Sequence, residues 1–368
     1  MRLKERLYWQ NKKEVNMKGK IGAIIGIGIL LVVGLSLALP SAGICEYKPD
    51  YVAVTFPGTA SVGYQSGSAM IGVLKKKTGV RFQFTPATKT MGRFNLLKSK
   101  RAHIAWSPSI DQLFALKGQK DFKPWGPQST RTLWDCGAID QGLAARADSG
   151  IKTVADIKGK RLCSYPTYPQ KQADVDAILA YANLTWDDVK AVPVSGFPAG
   201  QRAVLEGAVD CCIVSGQAAA AYELEASIHG IHWVEMPNET PEDKAAWGRF
   251  QKINPSIYPN RTGTPAGASK EKPVNIYGYS YQVACYDWAD QDLIYWFVKQ
   301  MAENYDAYKN VHAYLKKWTI DWTLKYDKWF VPRAEGFVRY FKEVGKWTPA
   351  MEKKNNYLLA KYPQRMTR

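Results

Sequence analysis

Histidine and cysteine are scarce in this chain of 368 residues, which holds four of the first and six of the second. The histidines are His103, His229, His232 and His312. His229 and His232 form the one close pair, and without a third ligand that spacing is a weak metal signal. His103 opens an apolar strand and reads as structural. No HExxH, GxSxG or GxGxxG occurs, so the zincin, hydrolase-elbow and dinucleotide signatures are all missing. No catalytic constellation, metal set or cofactor motif is left, and the weight moves from catalysis to binding. The cysteines, Cys45, Cys136, Cys163, Cys211, Cys212 and Cys285, make no CxxC pair. An oxidising compartment would permit a disulfide, but irregular spacing leaves connectivity open. Cys211 and Cys212 sit in an apolar run and read as buried thiols. Acidic residues are also in deficit, 33 against 50 Lys and Arg, for a formal charge of +17. The basic residues are dispersed, which suits a solvated basic surface better than a nucleic-acid stripe.

Long apolar runs are missing apart from one, "IGAIIGIGILLVVGLSLALP" at residues 21–40. It follows Arg2, Lys4, Arg6, Lys12, Lys13, Lys18 and Lys20 and precedes Ser41, Ala42 and Gly43. A basic segment, an apolar core and small residues in that order read as a secretory signal peptide over residues 1–43, with Met17 as a possible start. An uncleaved membrane anchor is the alternative, since the run could just span a bilayer. Cys45 follows Ile44, where a lipoprotein would carry a small residue. A periplasmic, extracytoplasmic protein is expected in either case.

What is present is alternation. Short apolar runs ("YVAVTF", "VRFQFTP", "AHIAWSP") exchange with amphipathic stretches, the pattern of βαβ units and a parallel sheet. A second α/β region occupies residues 142–275. There "KRLCSY", "VKAVPVS" and the run at residues 210–215 read as strands, and "QKQADVDAILAYANL" reads as a helix with Val175, Ile178 and Leu179 inward. Residues 238–273, rich in Pro, Gly and Asn, are expected to be irregular. From Asp290 onward the chain reads as helical, with Trp296, Trp318, Trp322, Trp329 and Trp347 packing between helices rather than caging a ligand. Asp187 and Asp188 follow Thr185 and Trp186 and suit a helix N-terminus better than acid–base work.

The loop "TFPGTASVGYQSGSAM" spaces Gly58 and Gly63 as a phosphate-binding loop would. Tyr64 and Gln65 stand where the lysine and the hydroxyl residue belong, so a nucleotide reading fails. The loop reads instead as a strand-to-helix turn.

Several segments together resemble solute-binding proteins of TRAP transporters of the TAXI type. "RADSGIKTVADIKGKRLCSYP" carries the most specific likeness; the first glycine/threonine loop, "GRFNLLKSKRAHIAWSPSIDQLF" and "LEGAVDCCIVSGQAAAA" follow in the family's order. Three loops depart from the pattern: the first has fewer glycines, and "TPATKT" and "YPTYPQ" replace small Gly/Ser turns. The resemblance implies an α/β, type II periplasmic-binding-protein fold, two lobes joined by two crossover strands around a central ligand cleft. The crossings are expected near residues 138–147 and 276–286. Lobe one would combine residues 46–140 and 285–368, and lobe two residues 141–284. The implied role is capture of a small organic acid or amino acid and its delivery to TRAP membrane subunits, without a cofactor. A receptor for signalling, an ABC-importer receptor and a secreted enzyme on the same scaffold remain alternatives.

In open α/β sheets ligands sit beyond the carboxyl ends of strands, where helix N-termini offer free N–H groups. That rule selects Gly58, Thr59, Ala60, Ser61 and Tyr64 after the first strand, Thr88 and Lys89 after the second, and Ser107 and Ser109 after the third. In the second region it selects Tyr165, Thr167, Tyr168, Gln170, Phe197 and Ser215. Ser61 is expected to meet a carboxylate or to cap its helix, Lys89 to supply countercharge or be solvated. Tyr165 and Tyr168 would clamp the solute, unless one of them is packing.

Overall fold

The computed structural model describes residues 47–59 and 61–363. The expected leader at residues 1–43, Cys45 and Ala60 lie outside the described residues. Among the described residues no helix is long and apolar enough to cross a membrane.

Ten strands form one sheet: β1 (Tyr51–Phe56), β2 (Arg81–Pro86), β3 (Ile104–Pro108), β4 (Thr130–Arg146), β5 (Arg161–Ser164), β6 (Lys190–Pro193), β7 (Cys211–Ser215), β8 (Ile231–Trp233), β9 (Ile257–Thr262) and β10 (Val274–Tyr286). Their order is β2-β1-β3-β10-β4-β7-β5-β6, with β8 beside β4 and β9 beside β10. Each half repeats one plan. β2-β1-β3 and β6-β5-β7 are parallel, and each set is flanked by an antiparallel strand, β10 in the first half and β4 in the second. β4 and β10 pair with each other from Gln141 and Tyr277 to Thr130 and Tyr286 and so run through both halves. This topology is the type II periplasmic-binding-protein fold, with β4 and β10 as the strands shared by both halves.

The helices of eight residues or more are α1 (Val62–Thr78), α2 (Thr90–Lys98), α3 (Ser109–Lys117), α4 (Pro169–Tyr181), α5 (Phe197–Leu205), α6 (Ala219–Ala226), α7 (Pro241–Ile253), α8 (Gln291–Glu303), α9 (Glu335–Glu343) and α10 (Pro349–Lys361). Local chemistry sets their ends. α1 starts at Ser61, whose hydroxyl accepts from the Tyr64 N–H, and stops at Gly79, φ +70, after Lys75, Lys76 and Lys77. A left-handed residue costs glycine little, and cations suit a helix C-terminus. Thr185 and Asp188 form a capping box on a short 3₁₀ turn, so Asp188 has the structural role expected of it.

The first half is closed by aromatic packing from the C-terminal segment. Trp106 of β3 lies 4.6 Å from Phe56, 6.2 Å from Phe297 of α8 and 6.2 Å from Trp318, ring centre to ring centre. Trp296, Trp318 and Trp329 are buried, and Trp347 stacks on Trp329 at 5.5 Å. In the second half α4 packs on α7, and Tyr181 meets Trp247 edge-on at 5.6 Å. Val175, Ile178 and Leu179 face inward.

Two expectations need correction. Residues 238–273 are not irregular throughout: they hold α7 and β9. Thr240 caps α7, Pro241 opens it, and Asp243 closes a capping box. Proline at the first helical position removes an N–H that has no partner anyway, so "TPED" starts a helix. The helix after Asp290 ends at Glu303, and short turns at Tyr305–Tyr308, Ala313–Lys317, Ile320–Thr323 and Tyr326–Lys328 replace a longer one.

Candidate functional site

The first turns of α2, α3 and α4 meet where β2, β3 and β5 end, and there the structure buries four charges. Arg93 of α2 and Asp111 of α3 are 1% and 2% exposed and lie 3.3 Å apart, Nη2 to Oδ2. Thr90 Oγ1 donates to the same carboxylate at 2.6 Å, and Arg93 Nη1 donates to the Ala87 and Thr88 carbonyls at 2.9 and 3.1 Å. From α4, Lys171 and Asp174 are 3% and 0% exposed and 2.7 Å apart. Lys171 Nζ also donates to Gln141 Oε1 of β4 at 2.5 Å, and Asn254 Nδ2 donates to Asp174 Oδ1 at 2.8 Å. Two pairs from opposite halves of the sheet therefore face a common interior.

Tyrosines of β10 line that interior. Tyr277, Tyr279 and Tyr281 alternate along the strand and so share one face. Tyr277 Oη donates to Gln141 Oε1 at 3.1 Å, and Lys171 Nζ lies 5.3 Å from the Tyr279 ring centre and 4.9 Å from that of Phe197. A Cβ on Gly63 would come within 2.7 Å of the Tyr281 ring, so the α1 N-terminus approaches β10 this closely only because residue 63 is glycine. Burial pushes the Asp111 carboxyl up; Arg93, Thr90 and Lys171 oppose the rise, and Asp174 adds to it. Burial likewise raises Asp174 against the pull of Lys171 and Asn254. The Tyr168 phenol is pushed up by burial, with Asp111 and Asp174 adding and Arg93 opposing. The Asp174 charge thus reaches Asp111 across the junction of the two halves.

A cavity of 150 Å³ lies at the same junction, lined by Ser109, Gln251, Pro255, Ser256, Ile257, Tyr258, Ser280, Asp327, Lys328 and Phe330. Its walls combine α3, the α7–β9 connection, β10 and the C-terminal segment. Among the described residues no group of three or more His, Cys, Asp or Glu side chains could hold a metal ion.

Residues 57–345 match the NMT1-like family. The chain belongs to that family. Among solved structures, it is similar to the periplasmic aliphatic sulphonate binding protein of Escherichia coli at 12% identity and TM-score 0.39, covering 86% of this chain and 83% of that one. It is similar to the second substrate-binding domain of Lactococcus lactis GlnP at 11% identity and TM-score 0.42, covering 75% and 98%. It is also similar to an ancestral arginine-binding protein at 16% identity and TM-score 0.42, covering 74% and 99%. Such overlaps are too loose to add to the strand order. A curated chloroplastic beta-D-glucosidase of Zea mays is 30% identical over 125 residues, 32% of this chain; the chain spans about a fifth (21%) of that relative.

The NMT1-like chain brings some of the sequence-selected residues together and disperses others. Ser107 and Ser109 are buried beside Asp111, and Ser107 Oγ lies 3.5 Å from Asp111 Oδ2. Gln170 is buried and donates to Asp174 Oδ2 at 3.4 Å. Ser215 Oγ accepts from Gln141 Nε2 at 3.2 Å. Phe197 and Tyr168 are half-buried at the cluster, and Gly58 passes close to Thr88. Ser61 caps α1, and Tyr64 packs edge-on against Phe56 at 5.5 Å. Thr59, Thr88, Lys89 and Thr167 are exposed. Tyr165 is fully enclosed in the core, where a Cβ on Gly200 would run into its hydroxyl. Sequence reasoning missed Arg93, Asp111, Lys171, Asp174 and the β10 tyrosines. Each lies one helical turn or one strand face away from a selected loop, and "YGYSY" with its alternating tyrosines was the available signal.

Proposed function

We propose that this protein is an extracytoplasmic solute receptor that captures a small organic acid or amino acid and passes it to a TRAP-type membrane transporter. The observation that carries the reading is the convergence of the buried Arg93–Asp111 and Lys171–Asp174 pairs, from opposite halves of the sheet, on tyrosines of a strand that crosses between those halves. Buried charges are costly unless paired, and a junction lined with them suits a polar or charged solute better than an apolar one. Lobes of residues 46–140 with 285–368 and of residues 141–284 would close on the solute because the closed form binds it better. The TAXI-like passage "RADSGIKTVADIKGKRLCSYP" supports the TRAP partner, and the N-terminal segment supports export.

Thermal-shift screening of the purified full chain against organic acids and amino acids tests the reading. A solute present at 100 times its Kd should stabilise the protein by about 2.7 kcal/mol and raise Tm by several degrees. A broad panel with no shift would overturn the receptor assignment. A matching solute that is chemically converted during incubation would favour an enzyme.

A further inference from the structure

The two ion pairs of the junction are largely satisfied by each other and by their neighbours. Besides Arg93 Nε and Gln170 Oε1 at those pairs, unmet hydrogen bonding lies in the 150 Å³ cavity. Ser109 is 2% exposed, lines the cavity, and its Oγ has no hydrogen-bond partner. Tyr258 lines it too, and its buried Oη has the Ser280 side chain beside it but no partner in hydrogen-bonding geometry. A buried hydroxyl left without a partner costs on the order of 1–3 kcal/mol, so a site with two of them is poised for a ligand or water that supplies the bonds. The cavity is about ten times the space one ordered water needs, enough for a compact organic molecule.

Lys328 brings a positive charge to the cavity wall, with Asp327 beside it and Asp135 nearby. The Lys328 ammonium lies 3.9 Å from the Tyr258 ring centre and 5.0 Å from that of Trp322, an arrangement that shields it from water on one side. Burial pulls its pKa down, Lys325 adds to the fall, and Asp327 and Asp135 oppose it. An added anion would relieve that penalty. Ser109 opens α3, and Pro108 before it provides no side-chain cap, so the partial positive charge of the first-turn N–H groups begins at a cavity-lining residue. The one acid in that turn, Asp111, is already held by Arg93 and Thr90. Asp327, the acid on the wall, is exposed, whereas Pro255, Ile257 and Phe330 present apolar surface.

We propose that this cavity is a carboxylate seat for a small organic acid, in which Lys328 supplies the charge, Ser109 Oγ and Tyr258 Oη the hydrogen bonds, and Ile257 and Phe330 the contact with the alkyl part. The proposal rests on the receptor reading only in taking the occupant to be the captured solute. Its walls come from both halves of the sheet, so an acid bound there would tie the halves together.

Calorimetric titration of the full chain with propionate, and with its neutral isostere propionamide, tests the seat. Propionate should bind and propionamide should not. Ser109→Ala and Lys328→Met should each weaken propionate binding at least tenfold, and Lys328→Arg should retain part of it. Lys328 is only half-buried, so its variants should keep the wild-type Tm. Equal propionate affinity in wild type, Ser109→Ala and Lys328→Met would overturn the seat, as would propionamide binding as well as propionate. Failure of propionate to bind at all would also overturn it, while the receptor reading would stand wherever the broad panel finds a solute. A propionate response lost in the variants, together with a panel in which no metabolite binds, would instead support the seat and sink the receptor reading.

Discussion

At the scale of single residues, the junction is governed by charges that left water only because each found a partner. Lys171 is held by Asp174 and Gln141, and breaking such a pair from one side leaves an uncompensated buried charge. Lys171→Met should therefore cost about 3–5 kcal/mol, read as a lowered urea midpoint. Lys171→Met combined with Asp174→Leu should recover much of that loss, because neither member of that pair is then left buried without its partner. The carboxyls also divide by sign. Asp111, Asp135 and Asp174 are raised by burial, whereas Asp156 and Asp243 are lowered by the N–H groups they accept from at helix starts. Carbon-detected NMR titration should place the first three above the free-aspartate value of about 3.9 and the other two below it. A raised carboxyl binds its proton more tightly in the folded state, so its contribution to stability falls as pH rises from the unfolded value through the folded one. The lowered carboxyls contribute stability above the unfolded value and lose it as pH falls through the folded one.

At the scale of elements, β4 and β10 show how a crossing strand is bent to serve two sheet halves. Their ladder slips between Ser280 and Gln282 on the β4 side, where Gly137 takes φ +83 and a Cβ would meet the Lys317 carbonyl at 2.7 Å. Gly137→Ala should cost about 2–3 kcal/mol, from left-handed strain together with the clash, measurable as a fall in Tm. Thr240→Ala, which removes the α7 cap, should cost about 1 kcal/mol. Much at this scale was legible in the sequence. The strands of both halves, the basic end and glycine stop of α1 and the inward face of α4 follow from local periodicity and capping. α7 was hidden because proline and asparagine dominate its surroundings, although Thr240, Pro241 and Asp243 carry the start signal. The breaks after Glu303 were hidden because Tyr308, Leu315 and Trp318 are fully buried by packing on distant strands, which overrides helical preference.

At the scale of the whole molecule, Asp140 ties the two halves at their boundary. It is 2% exposed and paired with Lys317 at 3.1 Å. It also accepts from Gln217 and Asn260 at 2.8 Å each, and from Thr264. If the lobes close on a solute, saturating ligand should reduce the radius of gyration measured by small-angle scattering. Asp140→Ala, which cuts ties to both sides, should shift the free protein towards a larger radius. No change on saturation would argue for a site that binds without closure.

By itself the sequence determined the alternation of strands and helices, because local periodicity and helix capping act within a few residues; the two crossing strands were expected from the family resemblance. The sequence also pointed to the loops at strand ends, because that position follows from sheet topology. Only the tertiary structure decided which side chains meet there. Arg93 reaches Asp111, Lys171 reaches Gln141, and Lys328 comes to rest against Tyr258 across 70 positions of chain. Such partners are chosen by the packing of β4 and β10 against helices far away in sequence, where an unpaired buried charge or hydroxyl is too costly to leave alone.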